Sequence, residues 1–188
     1  MSTALLEIPE FRRRVSPLTV EQYHSFSEFT ENGRRTELIR GIVIEKMSKS
    51  PRHSSTVRRL HRLLLAVLPP GFILFREDPL TLADSEPEPD LAIVRGDEKA
   101  FAERHPVTAA LVIEVAVTSA AEDRALAALY AEAGVEEYWI VLPRDRQIEV
   151  YRRPSAGAYA ERTVVEGDVI LACGSIPGIQ VALAELLA

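Results

Sequence analysis

AALVIEVAVTSAAEDRALAALYAEAGVEEYWIV, residues 109–141, decides the fold. Its opening, Ala109 to Val117, is β-branched and almost wholly apolar, the pattern of a central strand buried on both faces. Residues 121–133 read as a helix closed by Gly134, since glycine takes the left-handed conformation that ends a last turn. Tyr138 to Val141 is apolar again and reads as a second strand. One residue breaks the first strand. Glu114 puts a carboxylate inside LVIEVAV, which is expensive unless the group is paired, protonated or metal-bound. It is either a structural acid partnered by an arginine or a member of a site.

The reading extends outward from there. Downstream, Gln147 to Arg152 forms a strand across the hairpin signal Pro143-Arg144-Asp145. Tyr159 to Val165 and Val169 to Leu171 are expected to make a further β pair, and Leu183 to Leu187 a short helix. Upstream, Pro89-Asp90 opens a strand over Leu91 to Val94, and Phe72 to Phe75 is another. A helix is expected over 53–68, with Val57, Leu60, Leu64 and Val67 on one face and Pro69-Pro70-Gly71 ending it. Leu38 to Ile44 reads as a hairpin with Gly41 at a turn or bulge. Thr19 with Gln22 three residues on has capping-box spacing, so a helix is expected over 19–31, behind an N-terminal arm of residues 1–17. The whole predicts one α/β domain over 1–188, a central mixed sheet flanked by helices with additional β-hairpins.

Composition narrows the class. The chain has 188 residues, 47% hydrophobic and 27% charged, which excludes a disordered chain, a collagen-like fibre and a disulfide scaffold. No apolar run approaches the ~18 residues of a membrane span. The N-terminal patch precedes its arginines, the wrong order for a secretory signal, and Cys173 is the one cysteine; a cytoplasmic location is expected. The net charge of −6 is uneven: residues 1–76 carry +6 and residues 77–188 carry −12. Three lysines, Lys46, Lys49 and Lys99, stand against 19 arginines.

Asp90, at the mouth of the strand DLAIV, reads either as a turn aspartate or as a partner of Glu114. Two acids near the ends of adjacent strands can share a divalent cation, because hard cations take carboxylate oxygens. Glu37, in the ELIRG stretch, is a third candidate acid or a solvated edge residue. Rival sites are weak: there is no Gly-rich phosphate loop, no Cys/His cluster with zinc spacing and no GxSxG elbow. Cys173 reads as a buried small residue. Lys46, Lys49, Arg52, His53, Arg58, Arg59 and Arg62 concentrate positive charge within seventeen residues, and Arg58, Arg59 and Arg62 can follow a phosphate backbone. A solvated helix face is the plainer meaning of the same run.

Taken in order, LTVEQY, RRTELIRGIVIEKMSKSPRHS, EPDLAIV, LVIEVAVTSA, LYAEAGVEEYWIV, IEVYRR and GSIPGIQVAL resemble the Uma-two family, restriction-endonuclease-like proteins of the PD-(D/E)XK nuclease superfamily. The resemblance spans about residues 18–183. It implies a mixed sheet with helices on both sides, and it implies Asp90 and Glu114 as metal-binding carboxylates with Glu37 completing the site and His53 near the cleft. The implied chemistry is metal-dependent hydrolysis of DNA phosphodiester bonds with Mg²⁺ or Mn²⁺. DNA is the implied partner and a homodimer the implied assembly; the basic run makes Lys49, Arg52, His53, Arg58, Arg59 and Arg62 the expected nucleic-acid contacts.

The chain departs from the family pattern at several positions: Leu142 stands where EYWIV is usually followed by Asp, Val117-Thr118 replaces a serine-proline, and the usual lysine is missing. The family's D-R-x-x-K-x-x-x-Y is here Asp123-Arg124-Ala125-Leu126-Ala127-Ala128-Leu129-Tyr130, one residue short and without the lysine. Ala116 stands two residues after Glu114, so the E-x-K form is absent as well. Arg124 or Lys49 is left to supply the positive charge, and arginine is a poor substitute because its charge is diffuse and it keeps its proton. The expectation is a metal-dependent endonuclease with Asp90, Glu114, Glu37 and Arg124 as its catalytic set, weakened by the missing lysine. The alternative is a catalytically inactive nuclease-fold protein acting as a nucleic-acid-binding or oligomeric module.

Overall fold

The computed structural model describes residues 9–12, 14–26 and 35–187. They fall into two compact units, residues 1–46 with 83–87, and residues 47–82 with 88–188.

In the first unit, α1 (Pro9–Arg12) is a single turn within the expected arm, and α2 spans Val20–Ser25. The capping box is present: Thr19 Oγ1 accepts from the Gln22 N–H at 3.1 Å, and Gln22 Oε1 accepts from the Thr19 N–H at 2.9 Å. The helix stops at Ser25, since Phe26 is extended, and residues 27–31 of the expected helix lie outside the described residues. β1 (Thr36–Ile39) and β2 (Ile42–Glu45) pair antiparallel around Arg40 and Gly41, at φ 52° and 72°. Two successive positive φ values are what a two-residue hairpin turn of matching twist requires. Gly41 has a second reason to be glycine, because a Cβ there would collide with the Pro17 side chain. Within this unit Lys46 forms an ion pair with Glu37, and His24 contacts Glu86 at 2.6 Å.

The second unit is a six-stranded mixed sheet flanked by helices. Its elements run α3 (Pro51–Ala66), β3 (Phe72–Phe75), β4 (Leu91–Arg95), β5 (Leu111–Val115), α4 (Ala120–Glu132), β6 (Glu137–Leu142), β7 (Gln147–Ser155), β8 (Ala158–Glu166), β9 (Ile170–Ala172), β10 (Gln180–Ala182) and α5 (Leu183–Leu186). The sheet order is β3-β4-β5-β6-β7-β8, with β5 and β6 parallel and every other pair antiparallel. α4 makes the crossover that parallel strands need. It ends in the expected glycine: Gly134 is at φ 73°, the Val135 N–H donates to Tyr130 O and the Gly134 N–H to Ala131 O, the two bonds of a Schellman cap.

Two expectations are corrected. Helix α3 starts at Pro51, two residues early, because Ser50 caps it and proline suits the first helical position. Val67 therefore falls at the C-cap, 40% exposed, while Val57, Leu60 and Leu64 hold the buried face. The second correction concerns β8 and β9, which do not pair with each other. β8 pairs with β7 across the turn Ala156–Gly157, and β9 pairs with β10.

The sheet has two unlike faces. Residues directly opposite on paired strands share a face. Leu91, Ile113, Trp139 and Val150 form one such row, and it lies in the hydrophobic core with Val57, Leu60 and Leu64 of α3 and Leu171, Ile179 and Val181 of the tail. The neighbouring row is Glu114, Ile140, Glu149 and Val164, on the face that α4 covers. Two carboxylates thus stand two strands apart, roughly 10 Å by strand spacing, under one helix.

Candidate active site

β4 and β5 run antiparallel with Leu91 opposite Ile113, so Asp90 comes beside Glu114. Their link is direct. The Asp90 N–H donates to Glu114 Oε2 at 3.1 Å, and the Val115 N–H donates to Asp90 Oδ2 at 2.8 Å. The two acids read from the sequence are therefore one structural unit, fixed by backbone hydrogen bonds.

The SKSPRH stretch brings two cationic side chains to the same acid. Ser50 Oγ accepts from the His53 N–H at 3.2 Å, which sets the first turn of α3 and places Lys49 just ahead of the cap. Lys49 Nζ donates to Asp90 Oδ1 at 2.9 Å, and His53 Nε2 meets Asp90 Oδ2 at 2.9 Å. A carboxylate only accepts, so Nε2 carries the proton in that bond. His53 Nδ1 is buried and has no hydrogen-bond partner among the described residues. Lys49 Nζ also donates to Glu77 Oε1 at 2.9 Å. Across the acid pair, the Tyr130 hydroxyl donates to Glu114 Oε1 at 3.0 Å.

Burial alone would raise the Asp90 pKa, but the His53 hydrogen bond and the Lys49 charge together hold it below the ordinary carboxylate value. Burial pulls Lys49 down, and the Asp90 and Glu77 carboxylates outweigh it, leaving the ammonium above its usual value. Asp123, in the first turn of α4, is pushed up to about 6, chiefly by burial and with the Asp90 and Glu122 charges adding, against the hydrogen bond from Ser119 at 2.8 Å.

Arg124 lies elsewhere on the same face. Its Nε donates to Glu149 Oε1 at 3.0 Å and its Nη2 to the same oxygen at 2.6 Å. Arg162 Nε and the Tyr151 hydroxyl donate to Glu149 Oε2 at 3.2 and 2.8 Å. Burial opposes ionisation of Glu149, yet these donors bring its pKa down to about 2. Arg124 and Tyr130 are six positions apart on α4, so at 3.6 residues per turn their side chains leave the helix about 120° apart, one reaching Glu149 and the other Glu114.

The remaining predicted residues divide. Glu37 lies in the first unit, paired with Lys46. Arg52, Arg58 and Arg62 are exposed on α3, whereas Arg59 is part-buried and donates to Leu186 O at 3.0 Å. Cys173 is buried and its thiol is pushed up to about 11, by burial first and the Glu137 carboxylate second, which fits a packed residue rather than a nucleophile. Sequence reasoning missed Glu77, whose partner is 28 residues away and which no local pattern marks. It also missed Glu137, fully buried, which accepts from Trp139 Nε1 at 2.6 Å, Arg152 Nη2 at 2.9 Å and the Gly174 N–H at 2.7 Å and ties the tail to the sheet.

Among the described residues no group of three or more His, Cys, Asp or Glu is arranged to hold a metal ion. Asp90 and Glu114 supply two carboxylates, the hard-oxygen donors that Mg²⁺ takes one or two at a time with water completing its shell. The donor chemistry fits such an ion. Among the described residues no helix is long and apolar enough to cross a membrane.

Comparison with known proteins bears on the fold and the family. A crystal structure of "a putative nuclease belonging to DUF820" from Anabaena variabilis superposes with a TM-score of 0.77 at 18% identity, covering 91% of this chain and 98% of the other. At that identity the likeness shows the fold. No curated protein matches the chain. The family profile Uma2, described as "Putative restriction endonuclease", matches residues 20–184, a span that includes β1, β2, the Asp90–Glu114 pair and all of the six-stranded sheet, and the chain belongs to the Uma2 family.

Proposed function

We propose that the Asp90–Glu114 pair is the centre of a metal-dependent endonuclease that hydrolyses DNA phosphodiester bonds. The observation that carries this reading is the reciprocal fixing of the two acids: Asp90 N–H on Glu114 and Val115 N–H on Asp90, at neighbouring strand ends. Mg²⁺ or Mn²⁺ held by Asp90 and Glu114 would polarise the phosphate and activate water for attack. The chain's own residues supply the rest. Tyr130 orients Glu114, His53 orients Asp90, and Lys49 rather than Arg124 brings a positive charge to the acids. Arg52, Arg58 and Arg62 are exposed on α3 and suited to phosphates of the same duplex.

The test is supercoiled plasmid incubated with Mn²⁺ or Mg²⁺ and the wild type, beside Glu114→Gln and Asp90→Asn. Nicking by the wild type that both variants lack is the expected result. Nicking that survives in both removes this site from consideration.

One observation favours a second reading, a nucleic-acid-binding module without hydrolysis. Each of the four carboxylate oxygens of Asp90 and Glu114 already accepts a hydrogen bond within the protein. Folded wild type that fails to nick, yet binds DNA with an affinity that falls steeply with salt, is the outcome it predicts.

A further inference from the structure

Lys49 is held by two acids from different parts of the chain. Its ammonium lies 2.9 Å from Asp90 Oδ1 and 2.9 Å from Glu77 Oε1, and 19% of its side chain is exposed. Glu77 reaches it from a backbone at φ 60°, a left-handed conformation that a residue with a side chain seldom adopts. The Glu77 N–H donates to Pro89 O at 3.2 Å, so this unusual residue is tied to the position just before Asp90. The other two lysines are placed differently: Lys46 pairs with Glu37 in the first unit, and Lys99 is exposed in the turn after β4.

We propose that Lys49 is a cation with two seats: it occupies Asp90 when no divalent ion is present, and it withdraws onto Glu77 when one binds, remaining beside Asp90 as the positive group that faces the phosphate. The proposal rests on the hydrolytic reading of the Asp90–Glu114 pair. Its physical basis is charge. An ammonium and a divalent cation on one carboxylate repel each other strongly at contact distance, so the arrival of the ion must weaken the Lys49–Asp90 bond. A lysine with a single partner would then be left half-buried and unpaired, which is unfavourable. Glu77 removes that difficulty and is the positioning residue. A compact ammonium on a flexible stem can shift between two acids, whereas a planar guanidinium fork is matched to one.

The experiment titrates Mn²⁺ by calorimetry into the wild type, Lys49→Met and Glu77→Gln, with plasmid nicking measured in parallel. Lys49→Met keeps the alkyl stem, and its melting temperature without metal checks its fold; Lys49→Gln replaces it if that melting temperature collapses. Loss of the competing charge should tighten Mn²⁺ binding about tenfold while slowing nicking by about 10²–10³, the scale of losing one electrostatic donor. Loss of the second seat in Glu77→Gln should weaken Mn²⁺ binding several-fold and slow nicking less. Lys49→Arg should not restore the rate. Mn²⁺ affinity that is unchanged or weaker in folded Lys49→Met overturns the proposal, as does a wild type and a Lys49→Met that both fail to bind Mn²⁺. A wild type that binds Mn²⁺ but cuts nothing refutes the hydrolytic reading instead, and the affinity comparison still decides whether Lys49 competes at Asp90.

Discussion

Replacing Arg124 with alanine separates a structural arginine from a catalytic one. In the wild type, Glu149 is almost wholly enclosed and its pKa is drawn from 4.5 to about 2 by Arg124, Tyr151 and Arg162 against the effect of burial. Each pKa unit is about 1.4 kcal/mol, so the three donors, less the cost of burial, favour the ionised folded state by about 3 kcal/mol net. Arg124 makes the shortest of these contacts, but 45% of its side chain faces water, and screening reduces its share. Its loss should cost about 1–2 kcal/mol at pH 7. The sign follows from a depressed folded value. The stabilisation is complete above about pH 4.5 and disappears as pH falls towards 2, so the deficit of Arg124→Ala should shrink over that window. Urea unfolding of both proteins at pH 7, 4 and 3 measures it. An equal deficit at pH 7 and pH 3 would mean that the arginine stabilises through its stem rather than its charge. A variant as stable as the wild type but unable to bind Mn²⁺ would return Arg124 to the acid pair and refute the reasoning.

The other expectations follow the same physics. Asp123 is raised to about 6 in the folded state, so its ionisation destabilises the protein as pH climbs from about 4 through 6; Asp123→Asn should raise the melting temperature at pH 7.5, by about 1–3 kcal/mol in stability, and leave it unchanged at pH 4. Cys173 should react with a thiol reagent more than about 100-fold slower in the native protein than in urea, since it is buried and its thiol is pushed up to about 11; rapid native labelling would contradict its placement. Neutralising Arg58 and Arg62 together should weaken DNA binding and lower the salt slope by about 2, whereas Arg59→Ala should change the slope little because its guanidinium is turned to Leu186 O. A slope changed equally by Arg59→Ala would show that α3 does not face the duplex in this way.

What the sequence made legible depended on how local the cause was. Glu114 stood out because the apolar run around it makes a carboxylate anomalous, and Asp90 because Pro89 marks the strand mouth. The capping box of Thr19 and Gln22, the Arg40-Gly41 turn and the Gly134 cap are each encoded within a few residues and each is present. The start of α3 was misplaced because the apolar face, which begins at Val57, carries no information about the cap at Ser50. β9 pairs with β10 and not with β8, a choice left open by the sequence because apolar alternation identifies a strand without identifying its neighbour. Glu77 and the Glu149 partner of Arg124 were invisible for a stronger reason. Both contacts are set by which strand lies under which helix or loop, a property of the assembled sheet rather than of any short segment.

That same non-locality bears on how the acid pair comes into being. Lys49 and Asp90 are 41 residues apart, His53 and Asp90 37, and the Asp90 N–H and Glu114 24. Each closure carries a loop entropy that must be met before the contact offers anything in return, and sheets built from distant pairings form late for that reason. A nascent or partly unfolded chain can hold α3 as a helix and still lack an assembled acid pair. On the proposed hydrolytic reading, divalent-ion binding would then report completion of the sheet, and its gain during refolding should coincide with burial of Trp139 at the centre of β6 rather than with a rise of helical signal.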